Sequence, residues 1–197
     1  MKDRALVICT LIIACLAVFY VISNEASPKY KSIETQGQLT LGNPRADVHV
    51  IVFSDFRCSA CRYYEKQMYP LIKRRYIDSG KISYTLIPIA FLKGSAHLLE
   101  GYYCTRKANP SLSEDYIDEV FDQQSLPILP GINKDKLYKC LGSEDAADFV
   151  QDNLSIAEDA MGRNFVTPTI FVNGYRVPKN SYTTISNAID SALQGEP

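Results

Sequence analysis

The sequence predicts an α/β domain with a mixed central sheet whose strands are split around a block of helices. Two observations carry this. The apolar runs Val48 to Phe53 and Ile82 to Phe91 flank a stretch with a helical stripe, and strand-like residues return only at Thr169 to Val177, after a long helical segment. Strands separated by helices in this way pack as a sheet covered by helices rather than as a sandwich or a bundle.

Each element has its own signal. Gln38 to Leu41 reads as a short first strand before the turn Gly42-Asn43-Pro44. Val48 to Phe53, apolar and β-branched, reads as a central strand buried on both faces. Tyr63, Tyr64, Met68, Leu71, Ile72 and Tyr76 give the helix Arg62 to Tyr76 an apolar stripe, ended by Ser79-Gly80, and Ile82 to Phe91 is the next strand. Ser95 to Asn109, Glu114 to Gln124, Lys134 to Leu141 and Asp145 to Met161 read as successive helices, with a proline-containing loop at Leu126 to Gly131. Thr169 to Val172 and Tyr175 to Val177 form a hairpin through Asn173-Gly174, and Ser181 caps a closing helix to Leu193. The expected organisation is a leader at residues 1–22, a polar tether at 23–37, and one domain at 38–197 with a helical insertion at about 94–164.

Cys58-Ser59-Ala60-Cys61 lies between the central strand and the helix that follows it. Two cysteines three apart on the first turn of a helix share a face, near enough for a disulfide to close and reopen. At the helix N-terminus the Cys58 sulfur faces unpaired N–H groups and the positive end of the dipole, which favour the thiolate. Cys58 is therefore the expected nucleophile, and the more shielded Cys61 the residue that resolves a mixed disulfide. The same spacing also serves zinc sites and inert disulfides, so context must choose.

That context is Val166-Thr167-Pro168-Thr169 before Ile170-Phe171-Val172 and Asn173-Gly174, about a hundred residues later. Together with Phe53-Ser54-Asp55-Phe56-Arg57-Cys58-Ser59-Ala60-Cys61-Arg62-Tyr63-Tyr64-Glu65, it resembles the thioredoxin fold in its DsbA-like branch, from about Asp47 to Leu193. The resemblance implies a thioredoxin fold with an inserted helical domain and a thiol:disulfide oxidoreductase that needs no cofactor. It implies that Pro168 is cis beside the cysteines, and that Thr167 and Pro168 hold an extended substrate segment. It also implies that Glu65, four residues after Cys61, takes part in proton transfer to that sulfur, against the plainer reading of a solvated carboxylate. The family usually places proline and histidine between its cysteines, and Ser59-Ala60 departs from that, which leaves the redox potential open between those of thioredoxin and DsbA.

Composition bounds the alternatives. With 197 residues, 46% hydrophobic and 22% charged, the chain suits one well-packed domain, and a net charge of −1 gives no electrostatic reason to bind nucleic acid. Ala5 to Ile22, preceded by Lys2 and Arg4, reads as a secretory signal or a membrane anchor, its eighteen residues slightly favouring the anchor. Val21-Ile22-Ser23 offers a cleavage site, and Ile12-Ile13-Ala14-Cys15 looks like a lipoprotein box in an apolar run that continues too far past Cys15. Either way the domain is expected in the periplasm or another extracytoplasmic space, where disulfides persist. Cys104 and Cys140 are then expected to pair as a structural disulfide, with two buried free thiols as the alternative.

The expected partners are cysteine-containing exported proteins and, by the resemblance, a membrane-embedded quinone-linked oxidase that restores the disulfide; the chain is read as a monomer. A reductase or isomerase of the same fold is the nearest alternative, although the stretch from Ile22 to Leu39 is too short for an isomerase's N-terminal dimerisation domain. A zinc module built from Cys58, Cys61, Cys104 and Cys140 lacks a second C-x-x-C, and a peptide-binding domain with an inert pair is the third class. Asp55 reads as a strand-end turn residue or a buried acid. Arg57 and Arg62 read as surface charges able to favour the thiolate, His49 as a structural histidine, His97 as a helix-start residue, and Tyr63, Tyr64, Tyr102 and Tyr103 as core.

Overall fold

The computed structural model describes residues 12–16, 30–162 and 166–195. Residues 12–16 form a short helical segment in a unit separate from the domain that begins at Lys31. Most of the leader expected at Ala5 to Ile22 lies outside the described residues, and among those described no helix is long and apolar enough to cross a membrane.

The sheet runs β1-β3-β2-β4-β5, from β1 (Leu39–Gly42), β2 (His49–Asp55), β3 (Ser83–Ile89), β4 (Thr169–Val172) and β5 (Tyr175–Arg176). β2 pairs parallel with β3 and antiparallel with β4, and β1 pairs antiparallel with β3, so the sheet is mixed. Period-two alternation explains the apolar run of β2. Val50 and Val52 face a cluster with Ile72, Ile185 and Ile189, whereas Ile51 and Phe53 face the other side with Ala157, Ala160 and Phe171. His49 bonds Thr85 Oγ1 through Nε2 at 2.8 Å, a structural use.

The helix after β2, here α1, occupies residues 59–77 and alternates α-helical turns with wider π turns at Tyr64–Met68 and Lys73–Ile77. Pro70 gives a physical reason for the first: its ring crowds the turn before it and it has no N–H, and the Tyr69 N–H bonds the Tyr64 carbonyl five residues back. The helical block comprises α2 (Ala96–Ala108), α3 (Ser113–Gln123), α4 (Lys134–Cys140) and α5 (Glu144–Met161). α5 is more than part of a lid, since Ala157 and Ala160 cover one face of the sheet. Ser181 accepts the Thr184 N–H at 3.2 Å and so caps α6 (Tyr182–Leu193).

Two expectations need correction. The stretch read as tether is packed chain from Lys31 onward: the Lys31 N–H bonds the Gly174 carbonyl at 2.8 Å, and Ile33, an apolar residue in a polar run, packs on the cluster beneath α5. Tyr63 is 59% exposed rather than core, because the stripe of α1 falls on Tyr64 and Tyr76, both fully buried. Tyr102 is buried as expected, and exposed His97 sits on the first turn of α2.

Candidate active site

The site forms where β2 gives way to α1. Phe56, fully buried, drives the turn into an aromatic cluster, with ring centroids 5.4 Å from Phe121, 5.9 Å from Tyr102 and 6.2 Å from Tyr116. Gln124, in the left-handed region at φ 53°, donates from Nε2 to the Phe56 carbonyl at 3.0 Å. The helical block thereby holds the turn from one side. Cys58 then takes the N-cap position of α1 in an extended conformation, its N–H bonded to the Asp55 carbonyl at 3.0 Å and its carbonyl to the Arg62 N–H at 3.0 Å.

Cys58 and Cys61 are both free thiols, the first half-buried and the second fully buried. The Cys58 thiol is pulled down to about 5, first by the hydrogen bond from Cys61, against the upward push of burial, and further by Thr167 and the backbone N–H groups of Cys61 and Ala60. Hydrogen bonds lower it; Arg57 and Arg62 are not among the main influences. Arg62 instead reaches the Asp122 carbonyl at 3.5 Å. Cys61 is pushed far up by burial and by its bond to Cys58, opposed by the Ser54 hydroxyl, Thr167 and the Asp55 backbone. The pair thus divides into a thiolate at the surface and a protonated thiol beneath it.

The Thr167–Pro168 peptide is cis, and it brings the strand before β4 against the sulfurs. The Cys58 thiol donates to the Thr167 carbonyl at 3.3 Å, and the Thr167 side chain beside the pair lowers both sulfurs. Asn180 Nδ2 bonds the Pro168 carbonyl, and Thr169 Oγ1 bonds the Val166 carbonyl at 2.7 Å, so hydrogen bonds hold this loop on both sides of the proline.

Glu65 lies one turn beyond Cys61, half-buried at the wall of a cavity of about 260 Å³ shared with Leu39, Leu86, Tyr69, Glu114 and Asp118. Its carboxyl is pushed up to about 8, by burial first and then by the charges of Asp118 and Glu114, with Lys66 opposing. Cys104 and Cys140 are disulfide-bonded with Cα atoms 5.6 Å apart and pack with Leu137 and Ala146. Their sulfurs are bonded to each other in a cluster separate from Cys58 and Cys61, so the four cysteines do not converge on a metal.

Sequence reasoning missed Ser54, whose hydroxyl supports a Cys61 thiolate from the strand below, and Gln124, whose left-handed conformation no local pattern announces. Both depend on chain that is distant in sequence or on a strand face that looks like any other. Asp55 was open between two roles and fills both: it ends β2 and is fully buried.

Residues 34–191 match the family model described as thioredoxin. The chain belongs to the thioredoxin family. Among its relatives, disulfide bond formation protein D of Bacillus subtilis is 27% identical, over 88% of this chain and 84% of that one. A protein of Rickettsia typhi named as a protein-disulfide oxidoreductase is also 27% identical over 80% of this chain, which spans only 63% of that relative's length. The crystal structure of oxidised BdbD from Bacillus subtilis superposes with a TM-score of 0.75 at 22% identity, covering 86% of this chain and all of that one. Within the thioredoxin family the chain is thus DsbA-like, with a helical block between β3 and β4 and a C-x-x-C on the first turn of α1.

Proposed function

We propose that this chain is an extracytoplasmic thiol:disulfide oxidoreductase that introduces disulfides into exported proteins through Cys58 and Cys61. The observation that carries the reading is the asymmetry of the two sulfurs, with Cys58 held down to about 5 and Cys61 held up by burial. In the oxidised protein a substrate thiolate attacks Cys58 Sγ, the Cys58–Cys61 bond breaks, and Cys61 leaves as a thiolate that takes up a proton. A second substrate thiolate then attacks the substrate sulfur of the mixed disulfide and expels Cys58 as a stable thiolate. Two substrate thiols have become a disulfide, and two electrons reside on the cysteine pair. A low-pKa leaving group speeds the second step and stabilises the reduced protein, which makes the disulfide oxidising.

Ionisation or oxidation of Cys58 removes its thiol donor from the Thr167 carbonyl, leaving that carbonyl to accept an N–H from an extended substrate segment beside Pro168. Glu65 serves proton transfer to Cys61, its raised carboxyl holding a proton near neutral pH. The apolar stretch Ala5 to Ile22 and the Cys104–Cys140 disulfide support export, and the electrons pass to a membrane-embedded quinone-linked oxidase, as the family resemblance implies. Cys61→Ser should trap mixed disulfides with disulfide-bonded substrate proteins, because the Cys58 thiolate attacks their disulfide, expels one substrate thiolate and has no Cys61 to resolve the product, and Cys58→Ser should trap none. Equilibration with glutathione should place the couple above thioredoxin's potential of about −270 mV. A more negative value would replace the oxidase reading with that of a reductase.

A further inference from the structure

Asp55 is fully buried, and its carboxylate accepts three backbone N–H groups from two separate loops. Oδ1 accepts the Arg57 N–H at 2.8 Å, inside the turn that carries Cys58. Oδ2 accepts the N–H groups of Phe91 at 3.0 Å and Leu92 at 3.1 Å, in the loop that follows β3. The main chain of the same residue holds the site directly: its carbonyl accepts the Cys58 N–H at 3.0 Å, and its backbone lowers Cys61. The side chain of Arg57 lies beside the same loop, its Nε and Nη2 3.8 Å from where a Cβ on Gly94 would sit. One residue therefore bonds the N-cap cysteine with its main chain and clamps that cysteine's turn to the 91–94 loop with its side chain.

We infer that Asp55 is a positioning residue for the exchange reaction: its clamp fixes the turn so that the first N–H groups of α1 and the Cys61 thiol stay aimed at Cys58 Sγ. The inference rests on the proposed exchange activity and names a determinant of its poise. Hydrogen bonds weaken steeply with misalignment, so a turn released by a few tenths of an ångström loses donors to the thiolate while the disulfide, which carries no charge, loses little. The clamp accordingly favours the reduced protein over the oxidised one. A carboxylate suits the task because it accepts only, whereas a carboxamide must present an NH₂ to one set of N–H donors.

The test is Asp55→Asn, with Asp55→Ser as a second variant that adds no opposing amide donor should the first not fold. Equilibration with glutathione should show the variant less oxidising than wild type by about tenfold in the equilibrium constant, which is about 30 mV for a two-electron couple. The pH midpoint for Cys58 alkylation should rise, and thermal melts should show the reduced form losing more stability than the oxidised form. Equal loss in both redox forms, with the equilibrium constant within about twofold of wild type, would make Asp55 a purely structural clamp and overturn the inference. A shift toward a more oxidising couple would overturn it too, since the carboxylate would then be acting as a nearby negative charge that burdens the thiolate. Wild-type protein that reaches no reversible equilibrium with glutathione would instead defeat the exchange reading itself, which keeps the two failures distinct.

Discussion

Replacing Cys61 with alanine isolates the largest influence on Cys58, because the Cys61 thiol is the foremost donor to the surface sulfur. A hydrogen bond to a charged group contributes about 1.5 to 3 kcal/mol when desolvated, and about 1.4 kcal/mol moves a pKa by one unit. Cys58 is only half-buried, so water recovers part of the lost donation and the lower end of that range applies. The Cys58 midpoint should therefore rise from about 5 to about 6 in Cys61→Ala. Cys61→Ser keeps a hydroxyl donor in the same place and should stay closer to the wild-type value. The assay is the pH dependence of iodoacetamide alkylation, supported by ultraviolet absorbance of the thiolate, in variants whose single remaining active-site cysteine cannot close a disulfide. A midpoint that stays near 5 in Cys61→Ala would refute the reasoning and leave Thr167 and the helix N-terminus as the dominant donors.

Three further outcomes are expected. Reduced wild type should gain stability over Cys58→Ser as pH rises from about 5 toward the ordinary thiol value near 8.5, and lose that advantage as pH falls through about 5, because a depressed folded-state pKa stabilises only while the group is ionised; denaturant titrations at several pH values measure it, and a pH-independent difference would count against the thiolate. Cys104→Ser with Cys140→Ser opens a loop with a sequence separation of 36 and should cost about 2 to 4 kcal/mol by chemical denaturation, leaving Cys58 alkylation unchanged. Gly101→Ala would drive a Cβ into Leu126 Cδ1 and Tyr116 Oη, and the resulting overpacking of α2 against its neighbours should cost about 1 to 3 kcal/mol, read as a lowered melting temperature.

The sequence by itself determined the parts whose causes are local. An apolar β-branched run makes β2, the two cysteines of C-x-x-C must share a helical face, and Ser181 caps the helix it precedes, all within a few residues of chain. Family resemblance added the pairing of Thr167-Pro168 with the cysteines, which lie too far apart in sequence for local physics to join. Only the tertiary structure decided which groups surround the sulfurs, with Ser54 on the strand below Cys61 and the Thr167 carbonyl against Cys58, and that the Asp55 carboxylate reaches Phe91 and Leu92. It also decided that Tyr64 rather than Tyr63 is buried, that Ile33 draws the supposed tether onto the domain, and that α5 covers the sheet. The physical reason is the same in each case. A residue's propensity is a property of its neighbours along the chain, whereas its desolvation and hydrogen-bond partners are set by segments that meet only after the sheet and helices have packed.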